Sequence, residues 1–241
     1  MNSSTDKSAN EYASRVDDRL VDIIPNNRED FSMTWPWPVG VAWIVGGTHG
    51  NNWSSLDVTD GNFKCDWRVD EECVEDSTPL VYAMSSGTVI IEIDPCALNI
   101  LHPSGWGTSY YHTSDLMVSQ GEQVQMGQPI GRYAGDKKTA ICDNNGRSAA
   151  PHLHIGLFKV VNGKRESKTL DGACINGYTV HAGTVKYDYD CNRCWFEKEN
   201  DRICPSRQLC WQSGLPGNSC GLSDDPLNIM HDENPCTCKL D

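Results

Sequence analysis

Residues 149–161 read Ala-Ala-Pro-His-Leu-His-Ile-Gly-Leu-Phe-Lys-Val-Val. From His152 onward this is a β-type run, and it points to the fold class. Similar short runs precede it at Leu80–Ala83, Thr88–Ile93, Thr108–His112 and Pro129–Tyr133. Gly punctuates them, turn residues recur about every eight to twelve positions, and sustained helical periodicity is missing. That is the pattern of an all-β protein made of antiparallel strands, a sandwich or a barrel. The strand reading has a chemical consequence. Side chains at i and i+2 project to one face, so His152 and His154 stand side by side. The pair suits one His as a zinc ligand and its neighbour as an acid/base or oxyanion partner. The plainer alternative is two surface histidines on one sheet face.

Two further stretches carry histidines in suggestive company. In Thr48-His-Gly-Asn-Asn-Trp-Ser-Ser-Leu-Asp57, a His and an Asp lie eight apart across a Gly/Asn/Ser loop. They could supply nitrogen and oxygen ligands from the two ends of a turn, and zinc accepts both donor types. Read alone, Asp57 could equally cap the turn and His49 lie exposed. Tyr110-Tyr-His112 puts another His at the end of an aromatic strand, where burial against the core is the simpler use.

Composition narrows the function classes. The chain has 241 residues, enough for one catalytic-sized domain and a small appendage. Asp and Glu outnumber Lys and Arg by 33 to 20, a formal net charge of −13. Nucleic-acid binding needs clustered cations, so no nucleic-acid partner is expected, and anionic membranes should repel the chain. Its longest uncharged apolar stretch, Val39 to Val45, is far below the roughly 20 residues of a spanning helix, so no membrane insertion is expected. Twelve cysteines, with Cys191 and Cys194 forming the only C-x-x-C pair, read mainly as disulfides and place the chain in an oxidising, extracellular compartment. Cys65 and Cys73 flank an acidic insertion and could staple it as a small loop. Residues 1–30 are polar, lack the apolar core of a signal peptide, and read as a leader or a pro-segment remnant. From about residue 191 the texture changes again. Seven of the twelve cysteines follow, among Pro, Gly, Ser and Asp, so residues 205–241 read as a Cys-rich extension held by disulfides.

Several blocks in order resemble the lysostaphin-type zinc metalloendopeptidases, in particular their staphylolysin and beta-lytic branch. They are His102-Pro-Ser-Gly-Trp-Gly-Thr-Ser-Tyr-Tyr-His112, Tyr133-Ala-Gly-Asp-Lys-Lys-Thr-Ala-Ile-Cys142, Pro151-His-Leu-His154 and Tyr187-Asp-Tyr-Asp-Cys191. The resemblance runs from about Trp37 to Phe196 and implies a zinc metallopeptidase domain over residues 31–204. It implies a curved antiparallel sheet forming a groove with zinc on its floor, one ion per chain held by His49, Asp57 and His154. His112 and His152 would flank the metal and the scissile carbonyl as acid/base and oxyanion groups, and Tyr187 would stabilise the tetrahedral intermediate. It further implies the disulfides Cys96–Cys142 and Cys191–Cys204, while the partners of Cys174, Cys194, Cys210, Cys220, Cys236 and Cys238 stay open. The implied activity is a secreted, monomeric endopeptidase acting on glycine-rich peptide, with peptidoglycan cross-bridges first and elastin or other matrix protein second. A non-catalytic cell-wall-binding scaffold of the same fold is the rival from another class.

Overall fold

In the computed structural model, residues 31–142, 147–199 and 201–210 are described. The leader 1–30 and residues 211–241 of the Cys-rich extension, with Trp211, Cys220, Cys236 and Cys238, lie outside them. The strands are β1 (Ala42–Val45), β2 (Ser55–Thr59), β3 (Leu80–Tyr82), β4 (Gly87–Ile93), β5 (Ala97–Leu101), β6 (Trp106–Tyr111), β7 (Thr113–Ser114) and β8 (Gln123–Val124). They continue as β9 (Pro129–Tyr133), β10 (Leu153–Val161), β11 (Lys164–Ser167), β12 (Cys174–Ile175), β13 (Tyr178–His181), β14 (Trp195–Lys198), β15 (Asp201–Ile203) and β16 (Arg207–Cys210). Among the described residues the one α-helix is a single turn, α1 (Lys137–Ala140), capped by the Asp136 carboxylate, which accepts the Thr139 backbone N–H at 2.8 Å. The all-β class expected from the sequence is what the chain adopts.

A nine-stranded antiparallel sheet dominates, in the order β16-β1-β2-β10-β6-β5-β4-β8, with β11 paired to β10 as a hairpin. A three-stranded sheet β3-β9-β7 and a four-stranded sheet β12-β13-β14-β15 complete the described residues. β10 shows why the chain folds this way. Leu153, Ile155 and Leu157 point to one face and join the main core with Leu56 and Val58 of β2. Phe158 and Val160 point the other way and pack on Leu101 in a small second cluster. The period of two therefore covers both faces of a central strand.

The core is anchored by tryptophan. In Trp35-Pro-Trp-Pro38 each proline biases the residue before it toward extended backbone, which sends both indoles to one side. Trp35 stacks on Trp37 at 5.0 Å and Trp37 on Trp43 at 5.2 Å, all three fully buried. Tyr133 meets Trp43 edge-on and so joins the three-stranded sheet to the stack. Among the described residues three disulfides are formed: Cys65–Cys73, as its spacing suggests, and Cys96–Cys142 and Cys191–Cys204, as the resemblance implies. Cys174 and Cys194 are buried thiols. Beyond residue 204, β16 is hydrogen-bonded to β1 at the edge of the main sheet.

Candidate metal centre

Pairing register brings the first two groups together. In the β2–β10 ladder His154 lies directly opposite Asp57, and Tyr111 of β6 faces His154 from the other side. His49 reaches the same point by a turn. Residues 51–53 form a short 3₁₀ segment, and the His49 and Ser55 backbones exchange N–H···O bonds of 2.9 and 3.1 Å. The eight-residue spacing between His49 and Asp57 is thus closed by backbone pairing.

The three side chains converge. His49 Nε2 lies 3.3 Å from Asp57 Oδ1, His154 Nδ1 lies 3.1 Å from the same oxygen, and the two nitrogens are 3.2 Å apart. These three atoms form a donor set able to hold a metal ion. The His49 tautomer follows from its other nitrogen. Nδ1 donates to the Gly47 carbonyl at 3.1 Å, since a carbonyl only accepts, and Nε2 keeps its lone pair for the site. Burial alone would raise the Asp57 carboxyl. The His152, His154 and His49 rings outweigh it and hold the group well below the usual carboxylate range. Burial depresses the His154 imidazole.

The remaining two histidines line the same cleft. His112 follows β6, with its backbone in the left-handed region at φ 67°. Its Nδ1 donates to the Ala140 carbonyl at 2.5 Å, one of the carbonyls left open at the end of α1. The Cys96–Cys142 bridge ties that helix end to the strand beside His112. Burial first, then the His152 and His154 rings, push the His112 imidazole well below its ordinary value, so it is neutral at pH 7. His152 donates Nδ1–H to the Ala150 carbonyl at 2.8 Å, and its Nε2 stands 3.6 Å from Asp57 Oδ1. The rings of His112 and His152 lie 4.6 Å apart, and both present Nε2 as the uncommitted nitrogen. Tyr187 lies flat on His49, with ring centroids 4.2 Å apart.

All six residues singled out in the sequence therefore come together: Asp57, His112, His152, His154 and Tyr187 line one cleft of about 540 Å³, and His49 stacks on Tyr187 and meets Asp57 and His154. His102 does not join them. It is buried against Phe31 and bonds Ser104. Sequence reasoning missed the groups around them. The carbonyls of Gly47, Ala140 and Ala150 orient three of the rings, and backbone acceptors leave no signature in residue type. Trp67, held by the Cys65–Cys73 loop, and Arg147 form the cleft wall. Tyr189 also went unremarked. Partial burial, then the Asp57 charge, push its phenol up.

The model of peptidase family M23 matches residues 72–168. Protease LasA of Pseudomonas aeruginosa is 36% identical over 168 residues, covering 70% of this chain; the chain spans only 38% of the length of LasA. The beta-lytic metalloendopeptidase of Lysobacter enzymogenes is 30% identical over 181 residues, covering 71% of this chain and 92% of that protein. The solved structure of the M23 metalloprotease pseudoalterin from the deep sea superposes with a TM-score of 0.65 at 33% identity, covering 76% of this chain and 99% of that one. On sequence over most of a relative's length, and on fold, this chain belongs to peptidase family M23.

Proposed function

We propose that this chain is a secreted zinc endopeptidase that cleaves glycine-rich peptide, with peptidoglycan cross-bridges as its first substrate. The observation that carries the reading is the His49/Asp57/His154 donor set with His112 and His152 beside it. Zinc bonds of about 2.1 Å in a tetrahedral site put ligand atoms about 3.4 Å apart. The three separations of 3.1 to 3.3 Å fit that geometry, and two imidazoles with one carboxylate suit zinc better than a hard cation. Bound there, zinc would polarise a peptide carbonyl and bring the pKa of water toward neutrality.

The chain's own groups supply the rest. His112 and His152 are each locked by a backbone carbonyl, so their Nε2 atoms are fixed in direction as proton-transfer groups. One takes the proton of the attacking water, and the other stabilises the oxyanion or protonates the leaving amine. The Tyr187 phenol, held over His49, donates to the oxyanion. A glycine run has no Cβ to meet the cleft walls, which favours glycine on both sides of the scissile bond. Three disulfides support an oxidising, extracellular setting, and no helix among the described residues is long and apolar enough to cross a membrane. One observation favours the second reading, elastin or another matrix protein. A charge of −13 opposes docking on anionic cell walls. The presence of all the site residues argues against the non-catalytic scaffold.

The test is to incubate the pure protein with pentaglycine, elastin and whole Gram-positive cell walls, with and without chelator. We expect chelator-sensitive cleavage of pentaglycine and of walls. Cleavage of elastin alone would favour the matrix reading, and no cleavage of any of the three would overturn both.

A further inference from the structure

Tyr187 is 48% exposed, and its ring lies on His49. Its φ of 56° lies in the left-handed region, a conformation that costs a tyrosine free energy and persists only where the surroundings enforce it. The enforcement comes from its neighbour. Asp188 is 2% exposed, buried beneath the loop that carries Tyr187. Its carboxylate is gripped by the Arg193 fork, with Nε donating to Oδ2 at 2.9 Å and Nη2 to Oδ1 at 3.0 Å. It also accepts the backbone N–H groups of Thr184 at 3.3 Å and Asp190 at 3.1 Å, which closes the loop around one carboxylate. Arg193 in turn bonds Asp190 through Nη1 at 2.7 Å, and the Cys191–Cys204 bridge anchors that end of the loop.

Two glycines allow the burial. A Cβ at Gly47 would come within 2.6 Å of the Asp188 backbone N and O. A Cβ at Gly183 would come within 2.2 Å of the Asp188 Cβ. The other side of the loop is fixed to the turn that carries His49. The Tyr187 N–H donates to the Thr48 carbonyl at 2.9 Å, and the Gly183 N–H donates to Thr48 Oγ1 at 3.2 Å.

We propose that the pair of buried Asp188 and half-exposed Arg193 is a positioning element of the peptidase, holding the Tyr187 phenol over His49 for the bound peptide. This rests on the proposed role of Tyr187 in that reaction. Among the described residues none of the pair's hydrogen bonds reaches His49, Asp57 or His154, and it acts through the backbone of residue 187. His49 keeps its own anchors, the Ser55 backbone pair and the Gly47 carbonyl.

The test uses Arg193→Lys, which keeps the charge and loses the fork, and Asp188→Asn, which keeps the shape and loses the charge. With the zinc-loaded enzyme and pentaglycine, both should lower kcat about ten- to a hundredfold, the scale of a misplacement near 1 Å, with KM within about twofold and one zinc retained. In a Tyr187→Phe background the same substitutions should lower kcat by less than about threefold, because the group being positioned is already gone. Wild-type kcat in both variants, or an equal loss with and without the Tyr187 hydroxyl, would overturn the proposal. A crystal structure of Arg193→Lys gives a reading that needs no substrate. Tyr187 should leave its stack on His49, and a ring separation still at 4.2 Å would overturn the proposal even if pentaglycine proves to be the wrong substrate.

Discussion

His112 and His152 differ from His154 in one respect that decides their chemistry: each donates Nδ1–H to a backbone carbonyl and so is held without the metal. His154 turns Nδ1 toward Asp57 and His49. A substitution at either kind of position should therefore fail in a different way. We expect His154→Ala and Asp57→Ala to lose most of their zinc, because each removes a proposed ligand. His112→Ala and His152→Ala should keep one zinc per chain and lose on the order of 10² or more in kcat. Elemental analysis beside pentaglycine kinetics separates the two classes. Full zinc in the first pair, or wild-type turnover in the second, would reverse the assignment. At this scale the sequence was informative wherever side-chain chemistry is explicit. The H-x-H pair is visible as letters, and strand alternation says the two rings are neighbours. Asp188 was not legible, since its importance comes from burial and from Arg193, and Tyr-Asp-Tyr-Asp reads locally as a polar loop.

The elements that shape the cleft are short and irregular, and one is an insertion closed by a disulfide. The Cys65–Cys73 loop seats Trp67, whose backbone N–H donates to the Ala149 carbonyl at 2.8 Å. The next carbonyl along, that of Ala150, holds His152. Removing the bridge with Cys65→Ser and Cys73→Ser together should cost about 2–3 kcal/mol, the chain-entropy value for so small a loop. It should also lower kcat, because the His152 loop loses its buttress. Urea unfolding and steady-state kinetics on the double variant check both parts, and an unchanged midpoint would show that the loop is held by Trp67 packing alone. Strand positions were largely legible, because β4, β6, β9 and β10 carry β-branched and aromatic residues between glycines. The pairing of β16 with β1 was not, since it joins residues far apart in the chain and depends on no local pattern. The single turn of α1 is too short to leave a helical period.

At the scale of the molecule, an acidic chain surrounds a cleft whose wall carries Arg68, Lys137 and Arg147. Lys137 is paired to Glu71 at 2.6 Å and Arg68 to Asp66 at 2.6 Å, while Arg147 makes no ion pair among the described residues. The long-range field is therefore set by the net charge of −13. Teichoic-acid-bearing walls should repel the protein, and exposed charges are screened within about 8 Å at roughly 0.15 M salt. Lysis of intact walls should rise from low to moderate salt, while cleavage of a neutral oligoglycine should change little. A lysis rate that falls steadily with salt would mean that the local cations of the cleft wall govern docking. In the proposed function His49, Asp57 and His154 hold one catalytic zinc in a peptidase for glycine-rich chains. The most direct measurement is a titration of zinc into the chelated protein with pentaglycine hydrolysis as the readout. The rate should be negligible without metal, rise linearly with added zinc, and level off at one equivalent per chain. Hydrolysis that persists in the chelated protein, or a protein loaded with one zinc that leaves pentaglycine intact, would contradict it.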